Sequence, residues 1–577
     1  MHRTALLALT FGLTAAAQHV WRPIVMGKHG MVAAEHPLQA LAGARVLESG
    51  GNAFGAAAAV FYTTAVVEQH QSGLGGSAFV LAYVAKLNRV AFLNGNCFAP
   101  KLATAEYFRK LGKIPADGPL ASEVPGAVAA FDVLVKTYGS RNTGQLLDTA
   151  IDAAEGHPLT LFNARQAAEA VSFLSRFPLT ASVFLKGGGP PEPGDMLVQR
   201  DLARTLRAIA AQGPEIFYRG ELARSIDQFE RSNGGLIRLE DLNDFQPEAA
   251  EPLKVAYKGY DVYGCPPNSQ GIVMLMALKL LEGYDLKALG HNSAEYLDVI
   301  TEALKLAFAD RDRYIADPRF VKDIPVAALL SEDYARVRRS LIRTDRAMEG
   351  VPPAGDPRHF RATAAGPPAV RRRGLAAEGD TSSFSIADRF GNVVSATHSV
   401  NGNFGNGMLV EGFLMNNRLP YFSLDEKDVN RLEPRKRTRH TITPALALRN
   451  GKPVLAWNTP GGDNQPQAML QAFLNVVEFG MNLQQALESP SATTNMFQAS
   501  MFPHPVGDRL TLPRVLAERA AAALKAKGHR VEAAPMQQPY FAQPSGVGAV
   551  KMIRIDPATG LLMGGVSPAK DDYVIGW

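Results

Sequence analysis

A fold that mixes helices and strands is what this sequence predicts, on three observations. Residues 53–67 form an alanine-rich run behind Asn52, whose side chain can cap a helix by accepting a backbone N–H. Leu297, Ile300, Leu304 and Phe308 recur at helical spacing behind Asn292 or Ser293, either of which can serve as the cap. Phe384 and Ile386 alternate with Ser383 and Ser385, the period of a half-buried strand, and a turn over residues 388–392 sends the chain back along 393–400.

Taken in order, the chain opens with Arg3, an apolar stretch over 4–13 and Ala15-Ala16-Ala17. These read as a signal peptide over residues 1–17, with a frayed helix as the plain alternative. His36-Pro37 starts a helix that Gly50-Gly51 stops. The helix over 53–67 is followed by Gln71-Ser72-Gly73-Leu74-Gly75-Gly76 and by strands over 78–84 and 90–94. That glycine loop lacks the spacing and the lysine of a phosphate-binding loop and precedes a strand, so it reads as a packing turn. Pro266-Pro267-Asn268-Ser269-Gln270-Gly271 is a turn into another helix. Residues 348–380, rich in Ala, Gly, Pro and Arg and without periodicity, read as a mobile connector. Beyond it come hairpins, a helix after Asn464, another over 513–527, and a last strand pair around Pro557-Ala558-Thr559-Gly560.

Hydrophobic residues make up 46% of the 577, enough for a large core, yet no apolar run reaches the ~20 residues that span a bilayer. A net charge of +5 is mild for this length. Arg371-Arg372-Arg373 and Arg435-Lys436-Arg437 are short, lack interleaved aromatics and read as solvated loops, so nucleic acid is not an expected partner. Two cysteines, Cys97 and Cys265, exclude a disulfide framework or a cysteine-rich zinc site, and leave open whether they pair. The twelve histidines show no HExxH and no other close ligand spacing, so neither a metal nor another cofactor is expected.

The stretch Gly379-Asp380-Thr381-Ser382-Ser383 sets hydroxyls at the head of a strand. A threonine hydroxyl is a weak nucleophile near neutral pH and needs an adjacent base. The α-amine of the same residue can serve once the preceding peptide bond is cut, and a mobile connector suits a segment that leaves after the cut. By itself, Thr-Ser-Ser at a strand start reads as an ordinary solvated edge. Gly461-Gly462 before a helix can turn bare N–H groups toward an oxyanion, each donor being worth about 3 kcal/mol of barrier. In isolation that pair reads as a helix-entry turn.

Gly30-Met31-Val32-Ala33, Glu48-Ser49-Gly50-Gly51-Asn52-Ala53, Ser72-Gly73-Leu74-Gly75-Gly76, Thr381-Ser382-Ser383-Phe384-Ser385, Asn416-Asn417 and Thr459-Pro460-Gly461-Gly462 occur in an order and spacing with a precedent. From about Arg22 to Trp577 the chain resembles the γ-glutamyltransferase family of N-terminal nucleophile hydrolases. The resemblance implies an α+β fold, an αββα four-layer sandwich formed by two chains of one self-cleaved precursor. The implied cut lies between Asp380 and Thr381, giving a large chain over 18–380 and a small chain over 381–577. Thr381 is then the nucleophile and, through its freed α-amine, the base. Ser399 supports it, and Gly461 and Gly462 form the oxyanion hole. The implied activity is transfer or hydrolysis of a γ-glutamyl (or related acyl) amide through a Thr381 ester, with glutathione as the default substrate. The expected partners are a small amide or peptide and the two chains of the precursor, in the periplasm or the medium, or in the cytoplasm if residues 1–17 are not a signal peptide.

The substrate pocket departs from the pattern. The family's Arg falls on Asn96, the Gln after its Asn-Asn pair on Arg418, the Asp that grips an α-amine on Tyr421, and a Ser-Ser pair on His440-Thr441; Asn401 is kept. Loss of the Asp removes an acceptor without which a buried ammonium is costly. Arg418 can clamp a carboxylate and His440 can add a donor, which points to an alternative, a family acylase or amidohydrolase for a glutaryl-type or small amide. The plain readings are a surface salt bridge for Arg418 and a satisfied loop histidine for His440. Residues 421–440 are few, so a long lid is not expected. An inactive binding homologue is opposed by Thr381, Ser399 and the glycine pair together, and a Ser-His-Asp hydrolase by the absence of a GxSxG elbow.

Overall fold

The computed structural model describes residues 20, 22–363, 380–534 and 548–577. The signal-peptide reading of 1–17 and the cluster Arg371-Arg372-Arg373 lie outside the described residues.

Two seven-stranded sheets form the centre. One runs in the order Tyr573–Gly576, Gly30–Ala34, Asp380–Asp388, Val393–Asn401, Ser77–Val84, Arg89–Gly95, Glu248–Ala250. The other runs Val25–Gly27, Leu562–Val566, Lys551–Ile555, Lys452–Asn458, Ala445–Arg449, Tyr260–Gly264, Leu253–Tyr257. Every neighbouring pair in both sheets is antiparallel.

Three apolar clusters define four layers. The helices Pro37–Glu48 and Ala53–Val67 pack on the first sheet through Val32, Val60, Phe61, Val80, Phe384 and Ile386. The helices Ile272–Leu281, Ala294–Tyr314 and Gln465–Val477 cover the second through Leu275, Leu304, Trp457, Phe473 and Met552. Between the sheets lie Met31, Phe79, Leu81, Ile442, Leu446, Ala456 and Ile553. This is the αββα sandwich.

The helix starts obey their caps. Asn52 accepts the Gly55 N–H and Ser293 the Tyr296 N–H, so Ser293 is the cap of the long helix. In the glycine loop, a Cβ on Gly76 would meet the Ser399 carbonyl oxygen at 2.5 Å, so the loop is a close-packing turn against the strand that carries Ser399. Cys97 and Cys265 are both free and buried.

Three expectations are corrected. The strand Asp380–Asp388 is buried on both faces, because it is central in its sheet and sandwiched between layers. Its serines are satisfied inside the protein: Ser382 donates to Glu68 (2.9 Å), Ser383 to Glu35 (3.2 Å), and Ser385 accepts from Asn458 (2.9 Å). Lys436 and Arg437 are not solvated; Lys436 donates to the Val429 carbonyl and Glu433, while Arg437 meets Gln246, Asp317 and Glu248. The connector's described part, 348–363, is docked: Gly355 donates to Asp310 (2.7 Å) and Arg338 to the Pro353 carbonyl (3.1 Å). Residues 364–379 lie outside the described residues.

Candidate active site

Strand pairing builds the site. Asp380 opposes Asn401 and Ser382 opposes His398, with an irregularity between them that sets Thr381 out of the regular ladder. Thr381 and Ser399 are thereby brought side by side in neighbouring strands. The Thr381 hydroxyl donates to Ser399 Oγ (3.3 Å), and Ser399 Oγ donates to the Asp380 carbonyl oxygen (2.8 Å). A proton path thus runs from the Thr381 hydroxyl through Ser399 to the carbonyl that this hydroxyl would attack. Two further donors converge on Ser399 Oγ: the Asn401 N–H (2.8 Å) and Arg418 (3.2 Å).

Asn401 holds a left-handed backbone (φ 87°) at the strand end, and its side chain donates to the Asn417 carbonyl (2.9 Å). Gly461 and Gly462 both have positive φ (114° and 54°), a turn that favours glycine, and lead through a short 3₁₀ segment into the helix Gln465–Val477. They follow the strand ending at Asn458, whose side chain donates to the Phe384 carbonyl (2.7 Å), three residues along from Thr381. Gln270 fixes this turn by donating to the carbonyls of Gly462 and Thr441, each at 3.0 Å.

Arg418 is buried, not a surface ion. Its guanidinium lies over the Tyr421 ring at 4.5 Å, and Nε and one terminal nitrogen have no partner among the described residues. Thr441 hydrogen-bonds the buried Tyr421 hydroxyl. His440 is oriented away from any ligand role: Nδ1 accepts the Ile442 N–H (3.0 Å), so Nε2 carries the proton toward Ser77 Oγ (2.6 Å). Burial, and then the Arg418 charge, hold its pKa well below the ordinary value, so the ring is neutral. Asn96 donates to the Thr438 carbonyl (3.0 Å) and keeps a buried Oδ1 without a partner among the described residues.

Glu123 was not legible in the sequence. It is buried, and neither carboxyl oxygen has a partner among the described residues. Asn416 ties it to Arg418, since the Asn416 Oδ1 accepts the N–H of Glu123 (3.0 Å) and of Arg418 (3.1 Å). Burial pushes the Glu123 carboxyl up to about 8, against the pull of Arg418 and Arg437. The folded protein therefore binds this proton more tightly than the unfolded chain. That stabilisation is complete below the unfolded value of 4.5 and is lost as pH rises toward about 8. Glu123→Gln should show a smaller fall in Tm across that window than wild type, and an equal fall would contradict the assignment.

Lys570 was also missed. It donates to Asp380 Oδ1 (2.8 Å), Gln71 (2.8 Å) and Glu35 (3.3 Å). Burial opposes its charge, but Asp380 and Glu35 outweigh that, and its pKa lies above the ordinary lysine value. No local pattern could have flagged it, because its partners are hundreds of residues away. One described group could hold a metal, namely Asp298, Glu302 and His529. Its carboxylates are already taken by Lys527 (2.8 Å), His529 (2.7 Å), Lys305 (2.9 Å) and the Met348 N–H (2.7 Å).

The Gamma-glutamyltranspeptidase family model matches residues 40–577. The chain is 34% identical over 556 residues to the glutathione hydrolase-like YwrD proenzyme of Bacillus subtilis (strain 168), covering 96% of this chain and 99% of that protein. It is 34% identical over 524 residues to the acylase ACY 1 proenzyme of Pseudomonas sp. (strain SE83), covering 88% of each. The solved structure of cephalosporin acylase from Bacillus halodurans superposes with a TM-score of 0.86 at 32% identity, covering 99% of both chains.

Proposed function

Because this chain belongs to the gamma-glutamyltranspeptidase family, we propose that it is a precursor that cuts itself between Asp380 and Thr381 and then transfers or hydrolyses a γ-glutamyl amide, glutathione by default. The observation that carries this reading is the path from Thr381 through Ser399 to the Asp380 carbonyl. The Thr381 oxygen adds to the Asp380 carbonyl carbon while Ser399 takes the Thr381 proton and passes its own to the carbonyl oxygen, which gives it up as the carbonyl re-forms. The C–N bond then breaks, nitrogen takes the proton, and an ester joins Asp380 to the Thr381 oxygen. Water hydrolyses the ester, leaving a small chain of 577 − 380 = 197 residues with a free α-amine beside its own hydroxyl. In turnover that amine is the base, a substrate amide carbonyl takes the place of Asp380, and Gly461 and Gly462 supply N–H donors to its oxyanion.

Arg418 offers two unpartnered nitrogens to a carboxylate on the acyl group. Glu123, tied to it through Asn416, is the buried acid that answers an α-ammonium, giving up its proton as the ammonium docks, in the absence of an Asp at 421. A second reading, an acylase for glutaryl-type or small amides, is favoured by the buried Tyr421 where the family pattern has that Asp. γ-Glutamyl and glutaryl anilides separate the two. Glu123→Gln should lower kcat/KM for the γ-glutamyl anilide by about tenfold and spare the glutaryl one, the scale of one hydrogen bond to a charge. Arg418→Met should lower both by about 100-fold. Wild type that prefers the glutaryl anilide, with Glu123→Gln neutral on both, would establish the acylase reading instead.

No helix among the described residues is long and apolar enough to cross a membrane. Reading residues 1–17 as a signal peptide places the mature enzyme in the periplasm or the medium. Recovery of full-length residues 1–17 on the purified large chain would return it to the cytoplasm.

A further inference from the structure

The Asp380 side chain poses a problem for the cut. Its carboxylate sits on the residue whose own carbonyl oxygen gains negative charge as the Thr381 oxygen adds and before Ser399 has delivered its proton. A like charge that close opposes the charge developing in the transition state. The structure answers it with one residue from the far end of the chain. Lys570 Nζ lies 2.8 Å from Asp380 Oδ1, and the Thr381 N–H donates to the same oxygen at 2.8 Å. The carboxylate is therefore pinned on the side of the leaving nitrogen, with its charge compensated, while the carbonyl oxygen stays engaged with Ser399.

Lys570 is itself held in place. Gln71 and Glu35 accept from it, and its ammonium lies 5.3 Å from the Phe162 ring centroid. The charged groups around it are Asp380, Glu35 and Glu68, with His70 facing both Asp380 and Lys570, and with Asp571, Asp572 and Arg22 beyond. Glu35 keeps a second cation, Lys551 at 2.6 Å, so it does not depend on Lys570 for neutralisation. Asp380 has no second cation among its described partners.

We propose that Lys570 is a positioning residue for self-cleavage, acting through Asp380: it neutralises and pins the carboxylate of the residue on the acyl side of the scissile bond. The inference rests on the reading that the chain cuts itself between Asp380 and Thr381. Lys570 takes no part in bond making and moves no proton.

The test is the half-time of conversion from one chain to two, followed by gel and intact mass on full-length protein made by cell-free synthesis. Lys570→Met should slow conversion by about 100-fold, which corresponds to about 2.7 kcal/mol of barrier. Lys570→Arg, which keeps the charge, should recover to within about tenfold of wild type. The deciding variant is the double, Asp380→Asn with Lys570→Met. With no carboxylate to answer, it should cut as fast as Asp380→Asn alone, and such recovery cannot come from a misfolded chain. Lys570→Met cutting at the wild-type rate would overturn the proposal. So would a double variant about 100-fold slower than Asp380→Asn alone, since Lys570 would then act independently of Asp380. Wild type that never converts would instead remove the self-cleavage reading itself.

Discussion

Thr381→Ala is expected to leave a single uncut chain and to lower amide turnover by about 10⁵-fold or more, the scale for losing a nucleophile together with its base. In the proposed mechanism both roles reside in one residue: without the hydroxyl there is no atom to attack the Asp380 carbonyl, and without that cut no α-amine would be freed. The site offers no substitute: Ser399 is engaged with the Asp380 carbonyl, the Asn401 N–H and Arg418, and Ser382 donates to Glu68 on the opposite face of the strand. Thr381→Ser should cut and turn over more slowly than wild type, but measurably.

Ser399→Ala is expected to slow self-cleavage by about 10²–10³-fold, the range for removing one donor to a forming oxyanion. Ser399 is both the acceptor for the Thr381 hydroxyl and the donor to the Asp380 carbonyl, so its loss breaks the path at its middle. Arg418 and the Asn401 N–H would lose an acceptor as well, which leaves buried donors unsatisfied. A time course of chain conversion reads this directly, and Ser399→Thr should restore most of the rate. Conversion at the wild-type rate in Ser399→Ala would mean that Thr381 passes its proton elsewhere.

These effects trace to features of unequal legibility. The helix behind Asn52 and the long helix behind Ser293 could be read from capping residues and periodicity, because their determinants are local. The hairpin carrying Thr381 and Ser399 was also legible, since its turn residues and alternation are contiguous. Its burial was not. Alternating serines look like a solvent face, but here they are satisfied by Glu35 at the end of the neighbouring strand, Glu68 at the end of a covering helix and Asn458 of the other sheet. Arg437 misled for the same reason, as its acceptors Asp317, Gln246 and Glu248 are far away in the chain, whereas Lys436 is buried with partners close by, Val429 and Glu433.

The substrate side shows the limit most clearly. Family positions drew attention to Asn96, Tyr421 and His440, yet the ring nitrogens of His440 are committed to Ser77 and Ile442. The charges proposed to matter there are those of Arg418, which the sequence singles out, and Glu123, which it does not. Glu123 becomes a candidate only when Asn416 joins its backbone to that of Arg418. Lys570 likewise gains meaning only when the C-terminal turn closes over Asp380. Charge compensation across 190 residues of sequence has no local signature.

The central claim is that Thr381 becomes a new N-terminus and does the chemistry from there. Intact-mass measurement of the purified wild-type protein, beside Thr381→Ala, tests it most directly. The account predicts two chains for wild type, the smaller with the mass of residues 381–577 and Thr381 at its start, and one chain for the variant. Wild type remaining a single active chain, or a cut at any other bond, would contradict it.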